Sequence, residues 1–420
     1  MSYVSPELLA FKDGPNLDAF GRLRVSHPET LFTSSQEYVP DPLHVENYAT
    51  GGGSATYTQA NSSTVLSTAG TTSGARALRQ TKVYWRYQQG KSHLIKMTGT
   101  LNKSGTAAGT SVARIGYFDD NNGVFFGRDV TGFFIAKRSN VSGSVVDTKV
   151  YQSAWNVDGM NSALNALNPS DITVDFTKEQ IFTMDLQWLG VGRVRYYLFI
   201  NGKLNLVHET MNANLFTAVY IRTANLPCRY EVFNDSGTGA NISVEAICIA
   251  IESEGGVVDE GGVTLEFDTA GAGRSCANSS PLTYLFSIRL KDTFNGLTYR
   301  GHVENIETNI LATTNNCYWE WLWNATLGGS PAWSDVNTTY SGVEYDTSAT
   351  FSGGIAVASG FVVAGGNGVN AFQTSVSAQQ PNALILGRTY ANVRDTWTLV
   401  ARGIGGASTV YTATNFEEQY

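Results

Sequence analysis

At 420 residues and 42% hydrophobic content, the chain holds enough apolar material for more than one core. Charged residues are only 15% and glycine numbers 43, which excludes a fold built on Lys- and Glu-faced helices and predicts a turn-rich, all-β chain. The net charge of −8 argues against nonspecific binding to nucleic acid or anionic membrane, so neither is an expected partner.

Residues 1–75 differ from the rest. Pro6, Pro15, Pro28, Pro40 and Pro42 are half of the ten prolines, and Gly51-Gly52-Gly53 with a Ser/Thr/Ala-rich run follows them. Such a segment cannot form a core by itself. It carries Phe11, Phe20, Leu23, Val25, Leu31, Phe32 and Tyr38, too apolar for a free linker, so the expectation is an extended assembly arm that buries these residues on a neighbouring subunit or partner. Its start shows no basic stretch followed by an apolar one. Nor does the chain hold a run of about 18 apolar residues, so no membrane insertion is expected.

From 76 to about 255, apolar runs recur at short spacing between turn residues, the pattern of a jelly-roll or concanavalin-like β-sandwich. The clearest part is a meander. Phe182, Met184, Leu186 and Trp188 alternate with Thr183, Asp185 and Gln187, predicting a strand with one buried and one wetter face. A second run puts Val194, Tyr196, Leu198 and Ile200 on one face, and Asn201-Gly202 predicts a type I′ turn because both residues tolerate positive φ. The third run, Lys203 to Glu209, places Leu204, Leu206 and His208 on one side. Glu254-Gly255-Gly256 and Glu260-Gly261-Gly262 then mark a junction, and 256–420 reads as a second, C-terminal β domain. Cys228, Cys248, Cys276 and Cys317 are far apart without a C-x-x-C pair, which favours free thiols over a disulfide framework.

The sequence offers no catalytic constellation: no G-x-S-x-G elbow, no H-E-x-x-H and no paired Cys/His spacing. No metal or cofactor is expected. Gly90-Lys91-Ser92 matches only the end of a phosphate loop, with Trp85 where its first glycine belongs. Asp119-Asp120-Asn121-Asn122-Gly123 clusters oxygen ligands but reads better as a solvated hairpin turn than as a calcium loop. Asp185 and Glu209, on adjacent strands, are the one carboxylate pair that a glycosidase would need, and the simpler reading is outward polar positions. In Tyr318-Trp319-Glu320-Trp321-Leu322-Trp323 an extended backbone puts three indoles on one face. Exposed, Trp319, Trp321 and Trp323 would contact glycan or a partner protein; buried, they are the C-terminal core.

Asp18-Ala19-Phe20-Gly21-Arg22-Leu23-Arg24-Val25-Ser26, followed by Leu31-Phe32, resembles an N-terminal signature of tailed-bacteriophage virion structural proteins. Arg79-Gln80-Thr81, Gln88-Gln89-Gly90-Lys91-Ser92, Met97-Thr98-Gly99 and Leu285-Phe286-Ser287-Ile288-Arg289-Leu290-Lys291 continue the likeness into the rest of the chain. The resemblance implies a particle component made in the host cytoplasm and carried in the virion, as a head or tail fibre, decoration or baseplate protein. It gives the arm a role: Phe20, Leu23 and Val25 insert as apolar anchors while Arg22 and Arg24 pair with carboxylates or carbonyls of other virion proteins. The reading is therefore a noncatalytic structural protein that assembles as a homo-oligomer, with a trimer expected by likeness to fibre proteins. The alternative is a receptor-recognition module for host glycan, and a glycan-degrading enzyme ranks third.

Overall fold

The computed structural model describes residues 17–18, 28–68, 72–105, 107–234, 241–256, 262–269, 271–364, 372–376 and 384–419. These residues are all-β and divide into two compact units. Described residues up to Thr81 and from Trp85 to 256 form the first; Lys82–Tyr84 and the residues from 262 onward form the second.

The first unit is a sandwich of two antiparallel sheets. The eight-stranded sheet runs β13 (Lys203–Thr210), β12 (Val194–Ile200), β11 (Gln180–Leu186), β6 (Ser92–Ser104), β15 (Ser243–Glu254), β4 (Ser63–Ser67), β3 (Ser54–Thr58), with β1 (Glu29–Ser34) also on β15. The seven-stranded sheet runs β10 (Val146–Tyr151), β9 (Phe133–Ser139), β8 (Gly123–Arg128), β7 (Val112–Phe118), β14 (Cys228–Asn234), β5 (Ala75–Thr81), β2 (Val45–Thr50). Inner-face aromatics join them: Phe126 meets Phe182 at 5.1 Å and Tyr196 edge-on at 5.6 Å. The Tyr230 hydroxyl donates across the sandwich to the Thr98 and Cys248 carbonyls at 2.9 and 2.8 Å.

The meander forms as its alternation predicts. Phe182, Met184 and Leu186 stand opposite Leu198, Tyr196 and Val194, and Asn201 and Gly202 take φ of 54° and 73° in the two-residue turn. Two details differ. A bulge at Val207 puts Leu204 and Leu206 opposite Phe199 and Tyr197, while His208 stays beside Tyr196 on the core face, so the three do not share a side. The outer face of β11 is also dry. Thr183 and Asp185 are fully buried, and Asp185 is held by Arg195 (Nη2–Oδ2 2.5 Å) and by the Ser92 hydroxyl. The same guanidinium donates to the Leu17 carbonyl, so this piece of the leader lies on its own sandwich.

The expected arm through residue 75 is overturned for residues 29–67. They supply β1–β4 to both sheets of their own unit: β1 pairs with β15, β2 with β5, and β3 with β4. Pro28 precedes β1, and Pro40 and Pro42 lie between β1 and β2, so the prolines punctuate the strands instead of preventing them. Phe32 is fully buried and stacks on Trp85 at 4.9 Å. Gln36 ties the segment down. Its amide donates to the Ala246 and Ile247 carbonyls and accepts from Thr64 Oγ1 at 2.6 Å. Phe20, Arg22, Leu23, Arg24 and Val25 lie outside the described residues.

The outer face of the seven-stranded sheet is closed by arginines lying on phenylalanines. Arg138 covers Phe118 and Phe125 at 5.6 and 5.4 Å, Arg229 covers Phe118 at 5.3 Å, and Arg76 covers Phe233 at 5.8 Å. Glu231 sits fully buried among them and accepts from Arg76 Nε at 2.6 Å and Arg114 Nη1 at 2.8 Å. Burial alone pushes its carboxyl up. The surrounding guanidinium charges of Arg114, Arg76, Arg229 and Arg138 outweigh that and hold it at about 2. A folded-state pKa below the unfolded one stabilises the fold above about pH 4.3 and is lost as pH falls toward 2. Melting temperature is therefore expected to drop between pH 4.5 and 2.5, with Glu231 contributing on the order of 3 kcal/mol. Glu231→Gln should be less stable at pH 7 and show a flatter acid limb; an unchanged acid limb would remove Glu231 from the account.

The second unit is again two packed sheets. The five-stranded one runs β16 (Val263–Asp268), β30 (Ser408–Gln419), β21 (His302–Ala312), β28 (Phe372–Val376), with β17 (Arg274–Cys276) on β30. The six-stranded one runs β24 (Ser334–Asp335), β25 (Val343–Asp346), β18 (Thr283–Leu290), β29 (Trp397–Gly403), β22 (Cys317–Trp323), β27 (Ile355–Val362). Their facing side chains form one core, including Phe286, Ile288, Ile310, Trp321, Trp397, Leu399 and Phe416. All four cysteines of the chain are free thiols.

Candidate functional site

The tryptophan ladder is not a surface. Trp319, Trp321 and Trp323 share one face of β22, and that face points into the core: their exposures are 4%, 0% and 1%. The expectation of a glycan or partner contact there is corrected for a simple reason. β22 lies between β29 and β27, and its indole side meets the five-stranded sheet. Trp321 stands edge-on to Phe286 at 5.5 Å and to Trp397 at 5.8 Å.

The carboxylates considered for hydrolysis are also spent. Asp185 is buried against Arg195, and Glu209, which pairs across β12 with Arg195 in register, takes an ion pair from Arg193. Asp119 accepts from the backbone N–H groups of Asn121 and Asn122 at 2.8 and 2.7 Å, and Asp120 from Arg76 and Arg229, each at 2.6 Å. That is a braced hairpin turn. Among the described residues no His/Cys/Asp/Glu group is arranged to hold a metal ion. Burial pushes His93 and His208 down to about 4, so both are neutral at pH 7.

The open polar site lies on the second unit, at the outer face of the six-stranded sheet. Alternation in β18 sends Phe286, Ile288 and Leu290 into the core and Arg289 outward. Register then sets Arg289 opposite Glu344 of β25, and Glu344 opposite Asp335 of β24, so three charged residues line up across three strands. Arg289 Nε donates to Glu344 Oε1 at 2.5 Å, and Arg394 Nη1 donates to the same oxygen at 2.9 Å and to the Leu290 carbonyl at 3.2 Å. Burial lowers the Arg289 pKa while its bond to Glu344 works the other way. The Arg289 guanidinium also stacks on half-buried Trp333, its carbon 3.7 Å from the ring centre.

Arg289 and Arg394 form a ridge between two clefts. One, of ≈ 500 Å³, is lined by the apolar Leu327, Pro331, Trp333 and Val393 and by the polar Lys82, Asn324, Asp395 and Thr396. The other, of ≈ 450 Å³, lies on the side of Lys291, Asp292, Phe294 and Asp335. The first is held rigidly. Asn324, in the left-handed region at φ 51°, donates from its amide to Asp395 Oδ1 at 2.6 Å, and its side-chain oxygen accepts from the Thr396 N–H at 2.8 Å. The Thr389–Val393 turn is closed by backbone and hydroxyl bonds of 2.8 and 2.9 Å.

One aromatic ring, an aliphatic wall and a few anchored polar groups suit binding of a compact amphiphilic ligand. They do not supply a nucleophile with a base. Trp333 lies too far along the chain from Trp319, Trp321 and Trp323 to belong to their ladder, and alternation gives it no face. Its position between Pro331 and Ser334-Asp335, in a loop and not a strand, is the local signal that its ring is not core.

No family model and no curated protein matches this chain. Among solved structures it is similar to an endo-1,3-beta-glucanase from Streptomyces sioyaensis, at 7% identity and TM-score 0.38, over 54% of this chain and 96% of that one. It is similar to the Emp47p carbohydrate recognition domain at 12% identity and TM-score 0.32, over 55% and 97% of the two chains. Peanut lectin gives 12% identity and TM-score 0.32, over 54% and 98%.

Proposed function

We propose that the protein is a noncatalytic recognition component of a bacteriophage particle, and that the Trp333 cleft of its second unit binds host-surface glycan. The cleft carries the reading. Its ≈ 500 Å³ fits one or two sugar rings, with Trp333, Leu327 and Val393 offering apolar surface to the C–H face of a sugar and Asn324, Asp395 and Thr396 offering hydrogen bonds to hydroxyls. The particle role is supported by the Asp18–Ser26 segment and its resemblance to virion proteins. Copies arrayed on a particle, as trimers or another homo-oligomer, multiply a weak single-cleft affinity into firm attachment.

Purified protein on a glycan array tests this. Trp333→Ala should weaken binding roughly tenfold or more, since stacking and apolar contact are its main contribution. Stability should change by about 1 kcal/mol or less, because the ring is half-exposed. Full retention of binding by Trp333→Ala would move the glycan elsewhere; an array with no signal for the wild-type chain would end the glycan reading.

A further inference from the structure

We infer that the ridge between the two clefts selects an acidic glycan, one whose sugar carries a carboxylate. This deepens the glycan reading of the same site and rests on it. Two guanidinium groups, Arg289 and Arg394, share one oxygen of one carboxylate, Glu344. The other acids at the clefts have their own partners: Asp292 pairs with Arg388, Asp335 with Lys291, and Asp395 with the Asn324 amide. The Asn324 amide is neutral, so the Asp395 charge is offset by Lys82 of the same cleft; Lys82, Arg289, Lys291, Arg394 and the Arg388 paired with Asp292 then exceed the four acids by one positive charge, on a chain whose net charge is −8.

Donors are also left over. Among the described residues, Arg289 Nη1 and Nη2 and Arg394 Nε and Nη2 make no hydrogen bond, while both side chains line both clefts. Arg289 and Arg394 are 22% and 19% exposed, so these donors are reachable yet partly desolvated, and a charge-assisted bond there outweighs one in open water. Arg289 is held in place by Glu344 on one side and Trp333 on the other, which lowers the ordering cost of binding. Arg289 covers one face of Trp333, and both arginines line the same cleft as that ring, so a sugar held in the cleft brings a uronate carboxylate on that sugar or its neighbour within reach of the ridge.

The test uses the full chain and a panel of matched oligosaccharides: uronate-containing, the same glycans after carboxyl reduction, and sulfate-ester analogues. The acidic member of a bound pair is expected to bind about tenfold tighter or better than its reduced form, with the preference shrinking as salt rises. Arg394→Gln, which leaves Glu344 paired to Arg289, should lose most of that preference, affinity for the acidic glycan falling several-fold further than affinity for the reduced one. Glu344→Gln should strengthen acidic binding several-fold by releasing both guanidinium groups. Equal binding of acidic and reduced forms, or an Arg394→Gln protein with its preference intact, overturns the inference and leaves the glycan reading standing. Sulfate esters bound better than uronates would overturn the carboxylate assignment. Failure of every glycan on the wild-type protein fails the reading beneath it instead.

Discussion

A chain shortened to residues 51–420 is expected to lose cooperative folding of the first unit. The truncation removes β1 and β2, and with them the buried Phe32 stacked on Trp85 and the Gln36 amide that joins β15 to β4. It also strips Arg79, 2% exposed, of the Asn47 side chain and the Pro40 carbonyl that its guanidinium donates to. A buried guanidinium left without partners costs about 3–5 kcal/mol by itself, and the lost apolar burial adds to it. Together these approach the total stability of a domain, about 5–15 kcal/mol. Insoluble product, or a protein without a cooperative melt, is the expected outcome; a sharp melt at the wild-type temperature would show that β1 and β2 are dispensable. The assembly role proposed for the leader needs a gentler probe. Phe20→Ser with Leu23→Ser and Val25→Ser, once its melt shows a folded protein, should fail to enter particles; normal incorporation would refute the proposed role.

Trp321→Ala is expected to destabilise the second unit by about 3–5 kcal/mol. The indole is fully buried, touches Phe286 and Trp397 edge-on, and sits on a strand paired on both sides, so the surrounding sheets cannot close over the void. Calorimetry would read this as a large drop in the melting temperature of one transition. The contrast with Trp333→Ala separates core from site: one should unfold the unit, the other should empty the cleft. A cost below about 1 kcal/mol for Trp321→Ala would mean that the ring is not packed as described.

The legible parts of the fold were those whose cause is local. Alternation at Phe182–Leu186 and Val194–Ile200 and the positive-φ turn at Asn201-Gly202 are each decided within a few residues, and each forms as expected. The bulge at Val207 was hidden because nothing in Lys203–Thr210 departs from strand-forming composition; it follows from how β13 fits against β12. The leader misled for the opposite reason. Proline and glycine content spoke of an arm, but strands β1–β4 need only short stretches between those residues once β5 and β15 offer edges to pair with.

By itself the sequence determined that the chain is all-β, where its clearest strands and turns lie, and that three indoles of Cys317–Trp323 share a face. These are properties of backbone period and side-chain size, set between near neighbours. Only the tertiary structure decided which face is wet. Strand pairing buried Trp319, Trp321 and Trp323, closed the outer side of the meander over Asp185, and drew Arg289, Trp333, Glu344 and Arg394 from separate stretches into one ridge. A face is inside or outside according to what packs on it, and that partner lies tens of residues away along the chain.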